Sequence, residues 1–284
     1  MTPLPFFPTA PSSDARPAAA IGRQARMELV FACRRGKTVL AHAYAEPPLR
    51  VGRLLDVGPV AQMILVWCGP GIFAGDRLEQ HVRVEAGAHV MLVSQAALQV
   101  HPGEADSPAT IDSSYEVAPD ATLDCVWDPM IPFAASRLQQ RVDLRVAGDG
   151  QLFWSDALMS GRAARGESWQ FDTVDHELRV SVGGALTFLE RYRLTPRSRR
   201  PEHPWSAAQA QYVGTTLACS ATATPARAEE AQRRLASIEG LRAGIDCPVP
   251  NLVVGRLLAA RGPRFASART ALREVFERPV IRRS

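Results

Sequence analysis

Apolar and polar residues alternate along most of this chain, and the alternation predicts strands far more often than helices. Leu78, Val82 and Val84 fall on one face, with Arg77, Glu79, His81, Arg83 and Glu85 on the other. That is the period-two signature of a half-buried strand. Beyond Ala86-Gly87-Ala88, the charge-free run from His89 to Val100 has no period and reads as a strand covered on both faces. Upstream, Ala25 to Ala45 predicts two strands across the turn Arg34-Arg35-Gly36. Pro47-Pro48 closes them, because proline supplies no ladder donor, and Leu49 to Leu65 resumes strand character. Downstream, Ile111, Ser113, Tyr115 and Val117 alternate with polar residues, as do Leu123, Cys125 and Trp127, and Leu138, Val142, Leu144 and Val146 line the next strand.

One unit recurs. VEAGAHVML from Val84 returns as VAPDATLDC from Val117, VAGDGQLFW from Val146 and VSVGGALTF from Val180, at steps of 33, 29 and 34 residues (117−84, 146−117, 180−146). Such periods mark repeated supersecondary units. What repeats is turn chemistry, glycine or aspartate where the turn needs positive φ, so the expectation is a stack of β-hairpins. Past Pro201 the pattern shifts. Gln209 to Thr222 still reads as strand, but Pro225 to Leu241 starts with proline, passes Glu229-Glu230 and then arginines, and reaches Gly240, which predicts an amphipathic helix. Asn251 to Ala260 is apolar around Arg256, and Phe265 to Arg278 predicts a second helix. The fold class that follows is mainly β: a superhelical, solenoid-like body of stacked hairpins with a small α-helical C-terminal portion. Its expected parts are a disordered N-terminal arm over 1–24, a β-rich superhelical body over 25–222 and a C-terminal segment with two helices, packed on the body, over 223–284.

Composition narrows the class. At 284 residues with 46% hydrophobic and 22% charged residues, the chain is an ordinary globular protein able to bury a core. The net charge of +4 is modest, Lys37 is the sole lysine, and the arginines are scattered apart from Arg197-Ser198-Arg199-Arg200 and Arg282-Arg283. Nucleic-acid binding wants basic residues gathered on one face, so it is not expected. Five widely spaced cysteines without C-x-x-C speak against a disulfide framework or structural zinc, and for reduced thiols in a cytoplasmic protein. The start, rich in proline and lacking a basic region, is a poor signal peptide. Val57 to Gly75 and Ala86 to Gly103 approach membrane-spanning length without charge, but glycine, proline and glutamine within them favour buried sheet.

No nucleophile elbow, P-loop, dinucleotide fingerprint or H-E-x-x-H motif is present, so no catalytic residue is assigned. His81 and His89 flank one turn but give only a weak metal signal. Three carboxylates stand where a strand ends at glycine or proline: Asp76, Asp128 and Glu167. Three readings stay open for them. They pin turns by accepting backbone N–H groups, they offer weak oxygen ligation to a transient cation such as nickel, or they serve as acid–base groups of a β-helical carbohydrate enzyme.

Several motifs, in order, resemble the urease accessory proteins called UreD or UreH. Gly69-Pro70-Gly71-Ile72 through Gly75-Asp76-Arg77-Leu78 is similar to the family's glycine-rich turn ending in Gly-Asp. Ser94-Gln95-Ala96-Ala97 with Val100 resembles its Thr-Gln-Ala/Ser strand, and Trp127 to Phe133 its Trp-x-Pro-x-x-Ile-x-Phe segment. Gly161-Arg162 with Gly166-Glu167 and Val253-Val254-Gly255-Arg256-Leu257-Leu258 complete the set. Ala74, where the family has glycine, and Gln99 with His101, where lysine and tyrosine are common, mark a divergent member. The resemblance implies a cytoplasmic assembly factor without enzymatic activity. It would bind UreF and through it the GTPase UreG, and help deliver Ni²⁺ to apo-urease without holding a cofactor tightly. Asp76 and Glu167, with Asp128, would belong to an internal passage for the ion. Arg162, Ser94, Gln95 and Arg256 would be supporting or binding positions. The alternative is a β-repeat scaffold for another metalloenzyme, with no metal path of its own.

Overall fold

The computed structural model describes residues 22–57, 60–103, 107–199, 207 and 209–276. Most of the expected N-terminal arm, His203 and the tail from Pro279 lie outside the described residues. In chain order the strands are β1 (Gln24–Arg34), β2 (Lys37–Ala45), β3 (Leu49–Val51), β4 (Leu55–Val57), β5 (Val60–Trp67), β6 (Arg77–Val84), β7 (His89–Gln95), β8 (Gln99–Val100), β9 (Ala109–Val117) and β10 (Thr122–Val126). They continue as β11 (Ile131–Pro132), β12 (Arg137–Val146), β13 (Gln151–Met159), β14 (Gly161–Arg162), β15 (Glu167–Ser168), β16 (Thr173–Val182), β17 (Ala185–Leu194) and β18 (Tyr212–Cys219). Helix α1 (Pro225–Ala236), β19 (Leu241–Val249), β20 (Leu252–Ala259) and α2 (Gly262–Phe276) follow.

Two large sheets face one another. Sheet A runs β17-β16-β12-β9-β6-β1-β2, and sheet B runs β19-β20-β18-β13-β10-β7-β5-β3. The repeat read from sequence is real, and it builds a β-solenoid. In four coils the chain climbs a strand of sheet B (β5, β7, β10, β13), rounds a corner, and descends a strand of sheet A (β6, β9, β12, β16). Within a coil, however, the two strands joined by the repeated turn belong to opposite sheets. Each hydrogen bonds to its counterpart in the next coil, in parallel, so the first three turns are arches and not paired hairpins. Val84, Val117 and Val146 align directly across sheet A. The arches stack through Ala118 N–H to Val84 O and Ala147 N–H to Val117 O, both 2.9 Å.

The fourth hit differs. Val146 pairs with Val182, not Val180, and Gly183-Gly184 with φ of 58° and 85° folds β16 back on β17 inside sheet A. Two consecutive positive φ values are those of a type I′ turn, whose twist matches the flanking strands of a two-residue hairpin. This true hairpin ends the coiling. Arg35-Gly36, φ 54° and 72°, does the same for β1 and β2 at the other end.

The space between the sheets is the main core, filled by Met27, Phe31, Leu78, Leu92, Leu123, Leu144, Trp154 and Leu178. A second apolar cluster covers the far face of sheet B, where α1 and α2 bury Ala231, Leu235, Phe265, Ala268 and Leu272 against Phe153, Val253 and Leu257. Thr224 caps α1, its hydroxyl accepting from Arg227 N–H, and Pro225 sits at the first position. The helix stops at Ala236, earlier than expected, because Gly240 at φ 75° turns the chain into β19. The C-terminal segment thus supplies two strands of sheet B as well as two helices. The outer face of sheet A stays wet and carries cross-strand ion pairs such as Arg77–Asp112 and Arg145–Glu116. Both charge-free runs are sheet, and among the described residues no helix is long and apolar enough to cross a membrane.

Candidate functional site

The corners between sheet B and sheet A place the sequence-selected carboxylates. Corner strands β8 and β11 pair in parallel, and Ile72 bridges to Val100, so successive corners stack as the coils do. Side chains on this wall form a column. Phe73 stacks on His101 at 4.5 Å, His101 meets the edge of Phe133 at 4.6 Å, and the Arg162 guanidinium lies 3.9 Å over the Phe133 ring. Asp76 and Glu167 stand at the two ends of that column. Asp76 is buried, its carboxylate accepting from Arg23 N–H at 2.7 Å and Phe73 N–H at 2.9 Å. Glu167 takes both arms of the Arg162 fork, one at 2.8 Å, and accepts weakly from Ala134 N–H at 3.4 Å. The Arg162 hydrogen bonds hold its carboxyl below the usual value of 4.5. A general acid needs the opposite shift. Gly161, with φ 130°, makes the pairing possible, since a Cβ there would meet Glu167 O at 2.1 Å.

Asp128 goes elsewhere. It lies at the rim of an interior cavity of about 60 Å³ between the sheets, whose wall includes Gln80, Ser94, Ser113, Gln140 and Asp156 beside Tyr115, Trp127 and Trp154. Its backbone N–H donates to Ser94 Oγ at 2.7 Å, so Ser94 and Asp128 are brought together across two coils. Desolvation pushes the Asp128 carboxyl up from its ordinary 3.8, against the pull of the nearby Arg269 charge and of Ser94. Asp76 and Glu167 do not line this cavity.

Asp156 is the residue that sequence reasoning passed over. It sits in the middle of β13, accepts from Trp154 Nε1 at 3.0 Å, and pairs across sheet B with Thr215, which pairs in turn with Arg256. The signal was present: one acid inside the otherwise uncharged strand QLFWSDALM. What the sequence lacked was the side it faces. Opposite, on sheet A, Tyr115 donates to Gln80 Oε1 at 3.1 Å, and Gln140, His176 and Tyr192 are cross-strand partners. Glu190 of β17 closes the row by bonding Thr215 Oγ1 at 3.1 Å and Arg256 Nη2 at 2.8 Å. Arg256 is therefore tied across the two sheets. Gln95 ends β7 on the exposed side.

Gln80, Ser113, Gln140 and Asp156 thus bring oxygen-bearing side chains to the wall between the sheets, Asp128 is exposed at its rim, and Thr215 with Glu190 continues from Asp156 on the strands beside it. Among the described residues, no three His, Cys, Asp or Glu side chains gather into a set able to hold a metal ion.

A family model described as UreD urease accessory protein matches residues 23–284. The urease accessory protein UreD of Sorangium cellulosum is 38% identical over 175 residues, 62% of this chain and 55% of that protein, so the chain spans little more than half of that relative's length. The UreD of Lysinibacillus sphaericus is 29% identical over 192 residues, 67% of this chain and 72% of the other. That of Deinococcus radiodurans is 29% identical over 260 residues and 89% of each. With the family model covering nearly every residue from β1 onward, the chain belongs to the UreD urease accessory protein family.

Proposed function

We propose that this chain is a cytoplasmic, non-enzymatic scaffold for urease maturation, which passes Ni²⁺ through its interior to the apo-enzyme in a complex with a UreF-like protein and a UreG-like GTPase. The observation that carries the conduit is the pair Asp128 and Asp156 on the wall of a mainly apolar cavity between the sheets, with Asp128 at its exposed mouth. A divalent ion crossing a low-dielectric interior loses its hydration unless oxygens replace it along the way. Carboxylates supply compensating charge, while Gln and Ser oxygens supply exchangeable ligation. Asp76 and Glu167 serve this route by holding the corners that frame it.

A second reading keeps the scaffold and drops the metal path. It is favoured by the same two carboxylates, since both are already engaged by backbone N–H groups or by Arg162. Complementation of a strain lacking its own UreD separates the two. The wild-type chain is expected to restore urease activity and to co-purify with the partners. The pair D128N/D156N is expected to co-purify equally and restore little activity. Full activity from that pair leaves the scaffold alone standing, and no activity from the wild-type chain removes both readings.

A further inference from the structure

His176 is the one buried histidine among the described residues, at 2% exposure on the inner face of β16. Its Nδ1 lies 3.0 Å from Gln140 Oε1. An amide oxygen only accepts, so with the Gln140 oxygen facing the ring a neutral imidazole has its proton on Nδ1 and a lone pair on Nε2. That Nε2 has no hydrogen-bond partner among the described residues. The ring is held flat against Tyr192, centroids 4.8 Å apart at 23°. A buried polar atom without a partner costs about 1–3 kcal/mol, so a fold that keeps one has room for a water, an ion or a ligand to satisfy it. Fixing one ring nitrogen as donor to a placed oxygen, with the other presented inward, is how proteins aim imidazoles at metals.

The surroundings point to the ligand's class. Gln140, which orients the ring, also lines the cavity with Asp128 and Asp156. Burial raises the Tyr192 phenol well above its usual range, and the Asp156 carboxylate adds to that, so the field of Asp156 reaches the ring stacked on His176. His176 itself stands outside the cavity wall, behind Gln140, and an imidazole nitrogen there favours a borderline divalent cation over a hard one.

We propose that His176 Nε2 is an inner nitrogen ligand for the cation in transit, replacing one of its waters after it leaves the Asp128 and Asp156 carboxylates. This rests on the conduit reading above. The test uses the full ¹⁵N-labelled chain, long-range ¹H–¹⁵N spectra of the imidazoles, and Ni²⁺ alone as probe. Without metal, His176 is expected as the Nδ1–H tautomer, and substoichiometric Ni²⁺ is expected to broaden its resonances. In equilibrium dialysis H176F, which keeps a ring on Tyr192, is expected to weaken the tightest nickel site about tenfold. H176Q serves the same purpose if H176F does not fold. His176 resonances unchanged while nickel is bound, or affinity within about twofold of wild type, overturn the proposal. Urease nickel content separates the two levels. Loss with D156N but not with H176F leaves the conduit and removes His176, whereas no loss with either removes both.

Discussion

Asp76, Asp128 and Glu167 look alike in sequence, each a carboxylate where a strand meets glycine or proline, and folding gives them three different environments. Asp76 closes two backbone donors, so D76A leaves Arg23 N–H and Phe73 N–H without their acceptor. Urea melts are expected to show a loss of about 1–3 kcal/mol, and an unchanged midpoint would refute the clamp. Glu167 has a depressed folded pKa, so its ionised form stabilises the native state fully above the ordinary 4.5. That contribution is lost as pH falls through the lower folded value. E167Q is expected to melt below wild type at pH 7, with the gap closing in strong acid. Asp128 carries the opposite sign. Its folded pKa is raised, so the ionised form subtracts from stability above that value, and the penalty disappears as pH falls to its ordinary 3.8 and below. D128N is therefore expected to be more stable than wild type at pH 7 and no more stable below 3.8, by thermal melts at both pH values.

At the scale of elements, the helical layer depends on one absent side chain. Gly214 of β18 lies under Phe265 of α2, and a Cβ there would meet the ring at 2.5 Å. G214A is expected to cost about 1–3 kcal/mol by lifting α2, read as a lower urea midpoint together with faster amide exchange in α2 than in β12. Uniform exchange would contradict it. The strands were legible because one face of each is apolar at period two, and the turns because Gly, Asp or Arg-Gly marks positive φ. Arch and hairpin were not distinguishable from turn residues alone, since both use glycine and only backbone pairing tells them apart. Val180 looked equivalent to Val146 for the same reason. The run His89 to Val100, read as one strand, is β7 and β8 on either side of the corner at Ala96-Ala97-Leu98, because a solenoid bends where a flat sheet would continue. Asp156 stayed hidden because an acid in an apolar strand reveals its facing only when the phase of Trp154 is known.

Across the whole molecule, the solenoid converts a repeat along the chain into continuous rows in space. Parallel strands put like positions of successive coils side by side, so one polar residue per coil becomes a line through the core. Gln140–His176 on sheet A is such a step, and the antiparallel strands that close the sheets extend it to Tyr192 and set Thr215 and Arg256 beside Asp156 on sheet B. The chain's membership of the UreD family fits this architecture. The most direct test measures nickel per urease active site, after purification from cells expressing either the wild-type chain or D156N at equal levels, with complex formation verified by co-purification. The account predicts at least about a tenfold fall in nickel with D156N while the complex stays intact, the scale of loss met when a ligand's supporting group is removed. Urease from the D156N cells carrying as much nickel as from wild type would contradict it.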